Sequence, residues 1–251
     1  MKFIRFNKDG QPCHGLLTGA EVQKITGNIF IDYAIGDECF GLGDVMLLPP
    51  CVPTKIVAVG LNYRSHAQEM KMPIPDEPLL FLKPSTAVIG PGAAILYPQM
   101  SQRVDYEGEL GVVIGRLCKN VSEAEAPDFI FGYTCLNDVT ARDLQKKDGQ
   151  FTRSKSFDTF CPIGPCIETE LDPAGARIET FLNGQLRQET STADFIFPVY
   201  RLVSFISQVM TLLPGDVIAT GTPSGIGPMQ PGDEVEVRIS GIGSLKNSVA
   251  G

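Results

Sequence analysis

Apolar residues along the chain fall into short runs, and glycine or proline usually separates one run from the next. Short apolar runs bounded by turn-forming residues are typical of β-strands. The sequence predicts strands over residues 55–59, 79–82, 107–115, 129–136, 177–182, 216–220 and 234–239. A strand-dominated α+β protein follows from this pattern.

One amphipathic helix is predicted over residues 199–213, and Pro214 and Gly215 end it. Its apolar residues recur at helical spacing: Leu202, Phe205, Ile206, Val209, Met210 and Leu213. We expect this face to pack on the core. Shorter helices are predicted at residues 123–127 and after Asp138.

The first 50 residues alternate short apolar stretches with turns such as Asp9-Gly10, which predicts a small β-rich module. Three prolines in residues 48–53 then predict a stiff, extended connector, because proline fixes φ and lacks an N–H donor. We therefore predict an N-terminal module over residues 1–50 and a larger second domain over residues 51–251.

Charge and composition exclude several classes of protein. Acidic residues outnumber basic ones 29 to 21, for a net charge of −8, and no basic run is present, so nucleic acid and membrane surfaces are poor partners. No stretch approaches the roughly 18–20 apolar residues of a membrane helix, and the N-terminus lacks the apolar region of a signal peptide. Seven cysteines without a Cys-x-x-Cys pair predict buried free thiols in the cytoplasm and argue against a cysteine-held zinc.

Two carboxylates lead into the most apolar predicted strand. Because side chains alternate faces along a strand, Glu107 and Glu109 would point to the same side, with Cα atoms about 7 Å apart. They repel each other unless a positive charge lies between them, and oxygen ligands favour Mg²⁺, Mn²⁺ or Ca²⁺. On this pair alone, a solvated strand face is the favoured interpretation.

A third carboxylate, Asp138, follows the predicted strand 129–136. It could act as a helix N-cap, or it could complete a three-carboxylate metal site with open positions for water and substrate. The chain has only two histidines, which makes a zinc hydrolase improbable.

His66 and Glu69 are three residues apart, so they would be neighbours on a helical turn. A carboxylate beside an imidazole fixes its orientation and suits a general base. Taken alone, the pair is more simply interpreted as a surface ion pair.

Five segments in order resemble the fumarylacetoacetate hydrolase family over residues 55–248. They are residues 59–63 with His66 and Glu69, and residues 105–110, 137–143, 155–158 and 215–223. The N-terminal module resembles that of smaller bacterial members, such as acylpyruvase and 2-hydroxyhepta-2,4-diene-1,7-dioate isomerase. The resemblance implies a mixed β-sandwich roll and a homodimer.

The resemblance also implies roles for individual residues. Glu107, Glu109 and Asp138 would bind Mg²⁺ or Mn²⁺, with Ca²⁺ possible and no organic cofactor. His66 and Glu69 would form a catalytic dyad on a lid. Lys155 would also be catalytic, and the substrate-binding residues would be Arg142, Gln145 and Thr222.

The resulting hypothesis is a metal-dependent hydrolase that cleaves a C–C bond in a 2-oxo acid of the acylpyruvate or fumarylacetoacetate type, through a metal-stabilised enolate. The intact His–Glu pair favours hydrolysis, because this reaction needs an activated water. An isomerase or decarboxylase of 2-hydroxyhepta-2,4-diene-1,7-dioate or oxaloacetate, as in aromatic catabolism, is the alternative. A non-catalytic domain that binds a metal or a small acid is the alternative from another class.

Overall fold

The computed structural model describes residues 1–251, and β-strands make up most of its regular structure. In chain order the strands are β1 (Lys2–Lys8), β2 (Gln11–Thr18), β3 (Glu21–Asn28), β4 (Asp32–Gly41), β5 (Met46–Leu48), β6 (Lys55–Val59), β7 (Leu80–Pro84), β8 (Val88–Ile89), β9 (Ile95–Leu96), β10 (Val104–Tyr106), β11 (Gly108–Ile114), β12 (Ile130–Asn137), β13 (Thr140–Ala141), β14 (Cys161–Glu168), β15 (Arg177–Leu182), β16 (Gln185–Ser191), β17 (Val217–Ala219), β18 (Gly227–Met229), β19 (Glu234–Ile239) and β20 (Gly243–Ala250).

Helices are few and short. The α-helices are α1 (Arg64–Met70), α2 (Arg142–Asp148), α3 (Thr152–Lys155) and α4 (Val199–Val209). Single turns of 3-10 helix cover Leu42–Asp44, Ser85–Ala87, Ala126–Phe129 and Thr192–Asp194. None of the helices has the length and apolarity required to cross a membrane.

A large mixed sheet organises the molecule, in the order β4-β3-β2-β1-β14-β12-β11-β17-β6-β7, with β5 on β1 and β8 on β14. Most neighbours are antiparallel, but β17 runs parallel to β6 and β8 runs parallel to β14. A three-stranded sheet, β13-β10-β18, and a five-stranded sheet, β16-β15-β19-β20-β9, complete the architecture. The prediction of a strand-dominated α+β fold is confirmed.

The five-stranded sheet packs on one face of the large sheet and makes the molecule a β-sandwich. Val112 on β11 and Cys135 on β12 share one core cluster with Ile178 on β15 and Val237 on β19. A second cluster covers the other face of the large sheet, so all residues of β11 are buried. A strand with two buried faces has a continuous apolar sequence, which is why β11 stood out in the hydrophobic pattern.

The first 50 residues form strands β1 to β5 and extend the large sheet. β1 pairs with β14, with Phe3 opposite Ile167, and the side chains of Ile4 and Phe6 belong to the main core. The predicted β-rich module is thus joined to the rest by a shared sheet and a shared core. The domain boundary near residue 50 stays a prediction.

Three predicted elements differ from the structure. The helix predicted over residues 123–127 is a single turn of 3-10 helix over Ala126–Phe129. The strand predicted over residues 107–115 begins at Gly108, because Glu107 lies between β10, which pairs in the three-stranded sheet, and β11, which pairs in the large one. Helix α4 ends at Val209 rather than Leu213, because Leu212 and Cys118 exchange two backbone hydrogen bonds of 2.9 Å and draw the chain into extended structure. The differences at β11 and α4 arise from pairing with segments that are distant in the sequence.

The cysteines also depart in part from expectation. All seven are free thiols, but only five are buried, because Cys13 is half-buried and Cys39 is exposed. Burial raises the pKa of the Cys51 thiol to about 12 and also raises the pKa of the other buried thiols, so these cysteines are core side chains.

Candidate active site

The interruption between β10 and β11 places two glutamates at a crossing of two sheets. Glu107 lies between the strands and Glu109 lies on β11, and both are buried. The backbone N–H of Glu107 donates to the Asn137 side-chain oxygen (2.9 Å), and the N–H of Asp138 donates to the Glu107 carbonyl (2.8 Å). These bonds hold the end of β12 against the β10–β11 junction.

Glu107, Glu109 and Asp138 come together in one buried cluster, in which one carboxylate oxygen of each lies within 4.8 Å of the others. The burial rules out a solvated strand face. Asp138 is not a helix N-cap either, because α2 begins after Ala141 and has no side-chain cap. Three carboxylates without cysteine or histidine form a donor set that fits Mg²⁺ or Mn²⁺.

Three buried cations surround two of these carboxylates. Lys155 Nζ bridges them and lies 2.7 Å from Glu107 Oε2 and 2.6 Å from Asp138 Oδ2. Arg142 pairs with the other oxygen of Glu107, and Lys83 pairs with the other oxygen of Asp138. All four oxygens of Glu107 and Asp138 therefore have a cationic partner.

Glu109 differs from its two neighbours. Its recorded donor is the backbone N–H of Gly221, 2.8 Å from Oε2, and no lysine or arginine pairs with it. Burial, together with the Asp138 and Glu107 carboxylates, raises the pKa of Glu109 well above its ordinary value. A divalent cation in the cluster would supply the missing positive charge.

The pKa values of the paired groups move in the opposite sense. Burial opposes ionisation of Glu107, but Lys155 and Arg142 outweigh it and hold the pKa of Glu107 well below its usual range. Burial also disfavours the charged form of Lys155, yet the Asp138 and Glu107 carboxylates raise the pKa of Lys155 above its ordinary value. Both groups are therefore charged at neutral pH.

Helix α1 brings a histidine and a glutamate to the same cavity. His66 Nδ1 lies 2.9 Å from Glu69 Oε2, and the His66 side chain is only 7% exposed, so the pair is not a surface ion pair. The other Glu69 oxygen accepts from the backbone N–H of Gly225 (2.9 Å). His66 Nε2 has no hydrogen-bond partner in the chain, which leaves it available for a proton transfer.

The remaining predicted residues line this cavity, which has a volume of about 150 Å³. Arg142 donates to Gln145 Oε1 (2.6 Å) and to Asp105 Oδ2 (2.9 Å). Thr222 Oγ1 donates to the Gly108 carbonyl (3.0 Å) and accepts from Gln188 (2.9 Å). Of the predicted site residues, only Glu69 and Asp138 do not line the cavity, and they bond to His66 and Lys155, which do.

Sequence reasoning missed four supporting residues: Lys83, Asp105, Asn137 and Gln188. A signal existed for Lys83, since it is a single lysine directly after the apolar run 79–82. Asp105 and Asn137 lie inside the recognised segments. Nothing in the sequence marks Gln188, whose contacts are made across 34 and 80 residues.

Comparison with known proteins identifies the family. The family described as "Fumarylacetoacetate (FAA) hydrolase C-terminal" matches residues 55–250, and that described as "Rv2993c-like, N-terminal" matches residues 1–50. The chain belongs to the fumarylacetoacetate hydrolase family. The resemblance carried by the five sequence segments is thus confirmed.

Relatives within this family differ in the reaction that their names state. Oxaloacetate tautomerase YisK of Bacillus subtilis is 41% identical over 230 residues, which cover 86% of this chain and 76% of the relative. A 5-carboxymethyl-2-hydroxymuconate delta-isomerase structure from Mycobacterium smegmatis has a TM-score of 0.94 and 44% identity, and covers 100% of this chain and 99% of that one. Maleylpyruvate hydrolase from Sphingobium sp. SYK-6, solved with manganese(II) and pyruvate, has a TM-score of 0.84 and 31% identity at the same coverage. The chain is therefore an enzyme of this superfamily, with isomerase, tautomerase and hydrolase relatives.

Proposed function

We propose that the protein hydrolyses a C–C bond in a 2-oxo acid of the acylpyruvate type. One observation carries the proposal: His66, which is paired with Glu69, lines the same cavity as Glu107 and Glu109 of the carboxylate cluster. A general base and a site for a 2-oxo acid are both needed when water attacks one end of the molecule and charge develops at the other.

Glu107, Glu109 and Asp138 would hold Mg²⁺ or Mn²⁺. The unpaired Glu109 carboxylate supports this assignment, as does the manganese ion that accompanies pyruvate in the maleylpyruvate hydrolase. When bound, the cation would act as a Lewis acid towards the carboxylate and the 2-oxo oxygen of the substrate.

The other residues would orient the substrate and move a proton. Arg142 and Gln145 would donate hydrogen bonds to the substrate head, Thr222 would contact it, and Lys155 would place positive charge beside the developing oxyanion. His66, held by Glu69, would accept a proton from water as the oxygen adds to the distal carbonyl. The C–C bond then breaks, its electron pair remains with the 2-oxo fragment, and a proton returns to yield pyruvate and a carboxylic acid.

Proton relocation without water attack is the second candidate. The same site would serve an isomerase or tautomerase if His66 moved a proton between carbon and oxygen of the substrate. The names of the Bacillus and Mycobacterium relatives, which are 41% and 44% identical to this chain, support keeping this candidate beside hydrolysis.

A single panel distinguishes the candidates. Acylpyruvates, oxaloacetate and a 2-hydroxydienoate diacid are incubated with Mg²⁺, with Mn²⁺ and after chelation, and both the enol absorbance and the products are followed. Metal-dependent release of pyruvate and a carboxylic acid from an acylpyruvate supports hydrolysis. An absorbance change without fragmentation favours the isomerase, release of CO₂ indicates decarboxylation, and binding without any product indicates a non-catalytic domain.

The variant His66→Ala tests the dyad directly. We expect kcat to fall by about 10²- to 10⁴-fold, because the general base is removed. The Mn²⁺-induced rise in melting temperature should persist, since His66 is not part of the carboxylate cluster. Full activity in this variant would refute the assigned role.

The oligomeric state and the location are further predictions. We propose a homodimer, as the family resemblance implies, and a cytoplasmic enzyme. Light scattering on the purified protein measures the oligomeric state, and cell fractionation measures the location.

A further inference from the structure

We propose that an apolar groove beside the catalytic cavity binds the distal end of the substrate, and that this end is uncharged. The inference rests on the proposed function, because it takes a 2-oxo acid as the head group. The groove has a volume of about 800 Å³ and shares three lining residues, Leu79, Phe81 and Phe151, with the 150 Å³ cavity. The two spaces therefore adjoin at these side chains.

The size of the inner cavity requires a second compartment for any longer substrate. A volume of 150 Å³ corresponds to about five water molecules at roughly 30 Å³ each, which suits a pyruvate-sized head. Sites for larger ligands usually measure about 300–1,000 Å³, a range that the inner cavity does not reach and the adjoining groove does. The groove therefore offers space for the part of a substrate that extends beyond its 2-oxo acid head.

The charges around both spaces argue against a second carboxylate on the substrate. Every lysine or arginine that lines them already pairs with a carboxylate of the chain. These pairs are Lys55 with Asp216, Lys83 with Asp138, Lys155 with Glu107 and Asp138, and Arg142 with Asp105 and Glu107. The distal carboxylate of a diacid would lose water without gaining an unpaired cation, which is costly.

Two aromatic rings, those of Phe81 and Phe151, lie at the boundary between the cavity and the groove. The rings of Phe81 and Phe151 meet edge to face, with centroids 5.2 Å apart, and Lys155 Nζ lies 5.2 Å from the Phe81 centroid. The Phe81 ring thus lies against Lys155, which pairs with Glu107 and Asp138 of the carboxylate cluster. An apolar or aromatic tail is the class of group that packs well on such rings.

Gly60 allows close packing at this boundary. A Cβ atom at this position would lie 3.2 Å from side-chain atoms of both Leu79 and Phe151. Real Cβ contacts are seldom this short, so a larger residue would displace both side chains by a few tenths of an ångström. Leu79 and Phe151 can pack this closely on the end of β6 because residue 60 is a glycine and has no side chain.

The test measures binding of 2-oxo acids that have no C–C bond to hydrolyse. Calorimetry in the presence of Mn²⁺ compares pyruvate, 2-oxohexanoate and 4-phenyl-2-oxobutanoate with the dicarboxylates 2-oxoglutarate and 2-oxoadipate. We expect affinity to increase by about fourfold for each methylene buried in the groove. We expect the dicarboxylates to bind no more tightly than pyruvate.

A designed change of charge sharpens the test. Leu79→Lys places a cation without a carboxylate partner on the groove wall, at a position that is 46% exposed in the native protein. It should raise the affinity for 2-oxoadipate about tenfold and reduce that for 2-oxohexanoate. Phe151→Ala should weaken 4-phenyl-2-oxobutanoate far more than pyruvate. Leu96→Ala, at an exposed leucine of β9 outside both spaces, is the matched control and should change neither.

Each outcome bears on a stated part of the argument. Tight binding of dicarboxylates by the native protein would overturn the uncharged tail while leaving the proposed function intact. Tail affinity that is insensitive to Phe151 would overturn the groove as a subsite, as expected if a second copy of the chain covers it. Failure of pyruvate itself to bind with Mn²⁺ would overturn the proposed function and this inference together.

Discussion

Asp216 and Glu109 are both buried carboxylates beside the central strands of the large sheet, but their surroundings differ completely. Asp216 precedes β17 and accepts hydrogen bonds from Thr54 Oγ1 (2.6 Å), from the backbone N–H groups of Thr54, Lys55 and Leu213 (2.9–3.2 Å), and from the Lys55 side chain. Glu109 accepts one bond, from the Gly221 N–H, and lies among other carboxylates.

The pKa values follow this difference. Burial opposes the ionisation of Asp216, but the hydrogen bonds from Lys55, Thr54 and Leu213 outweigh it and hold the pKa of Asp216 below its usual value. Burial and neighbouring carboxylates raise the pKa of Glu109 instead. Burial of a charge does not by itself indicate function. A buried charge with its partners missing does, because only a ligand can then compensate it.

Amide replacement at Asp216 should have the largest effect on stability. In Asp216→Asn, an NH₂ group replaces one carboxylate oxygen and faces the hydrogen-bond donors that the oxygen accepted from. The side chain also loses its charge, so the buried ion pair with Lys55 is lost. We expect the free energy of unfolding to fall by about 3 kcal/mol, measured by urea denaturation at neutral pH. A loss below about 0.5 kcal/mol, the range of ordinary surface changes, would contradict the structural role.

The same variant carries a pH signature. The folded-state pKa of Asp216 is depressed, so its contribution to stability is complete above the unfolded-state pKa of about 3.9. The contribution is lost as pH falls through the folded-state pKa. The stability gap between the native protein and Asp216→Asn should therefore be constant near neutrality and narrow below about pH 4.

Lys83→Met should have an intermediate effect, on metal affinity. Lys83 is fully buried and holds one oxygen of Asp138 in place, so its removal leaves this proposed metal ligand without a partner that orients it. Loss of such a supporting partner typically costs about 10- to 100-fold in metal affinity, to be measured by Mn²⁺ titration. Lys55→Met is the matched control, because it removes a lysine from the other buried carboxylate and should leave Mn²⁺ affinity unchanged. Equal Mn²⁺ affinities in the two variants would contradict the assignment.

Glu109→Gln should have the smallest effect on stability, and with the opposite sign. The amide keeps the bond from Gly221 and removes a charge that lacks a cationic partner, so the metal-free protein should gain about 1 kcal/mol. The rise in melting temperature with Mn²⁺ should disappear in this variant. A destabilised metal-free protein with an unchanged Mn²⁺ response would show that Glu109 is a structural carboxylate like Asp216 and not a metal ligand.

The fold was predictable where strands have a local signature. The predicted ranges 55–59, 177–182 and 234–239 coincide with β6, β15 and β19. β14 and β20 were not predicted. Both pair with strands that are distant in the sequence, β14 with β1 and β20 with β9. The glycine and prolines of β14 and the polar residues of β20 weaken the local β signal, and tertiary pairing overrides this weakness.

The site was predictable where its residues occur in recognisable segments. The cluster of Glu107, Glu109 and Asp138 and the His66–Glu69 pair are brought together as the segments imply. The Lys83–Asp138 pair joins residues 55 positions apart and was not foreseen. Propensity and spacing describe neighbours in the chain, and they contain no information on which distant cation compensates a buried carboxylate.

The sequence by itself determined the strand-rich class, the family and the acidic residues of the candidate site, because these depend on local patterns and on ordered segments. Only the tertiary structure decided that Glu107 lies at the junction of two sheets, that Glu109 alone lacks a cationic partner, and that an apolar groove adjoins the cavity. The physical reason is that burial and charge compensation are sums over contacts between distant parts of the chain, and these contacts exist only after the sheets have packed.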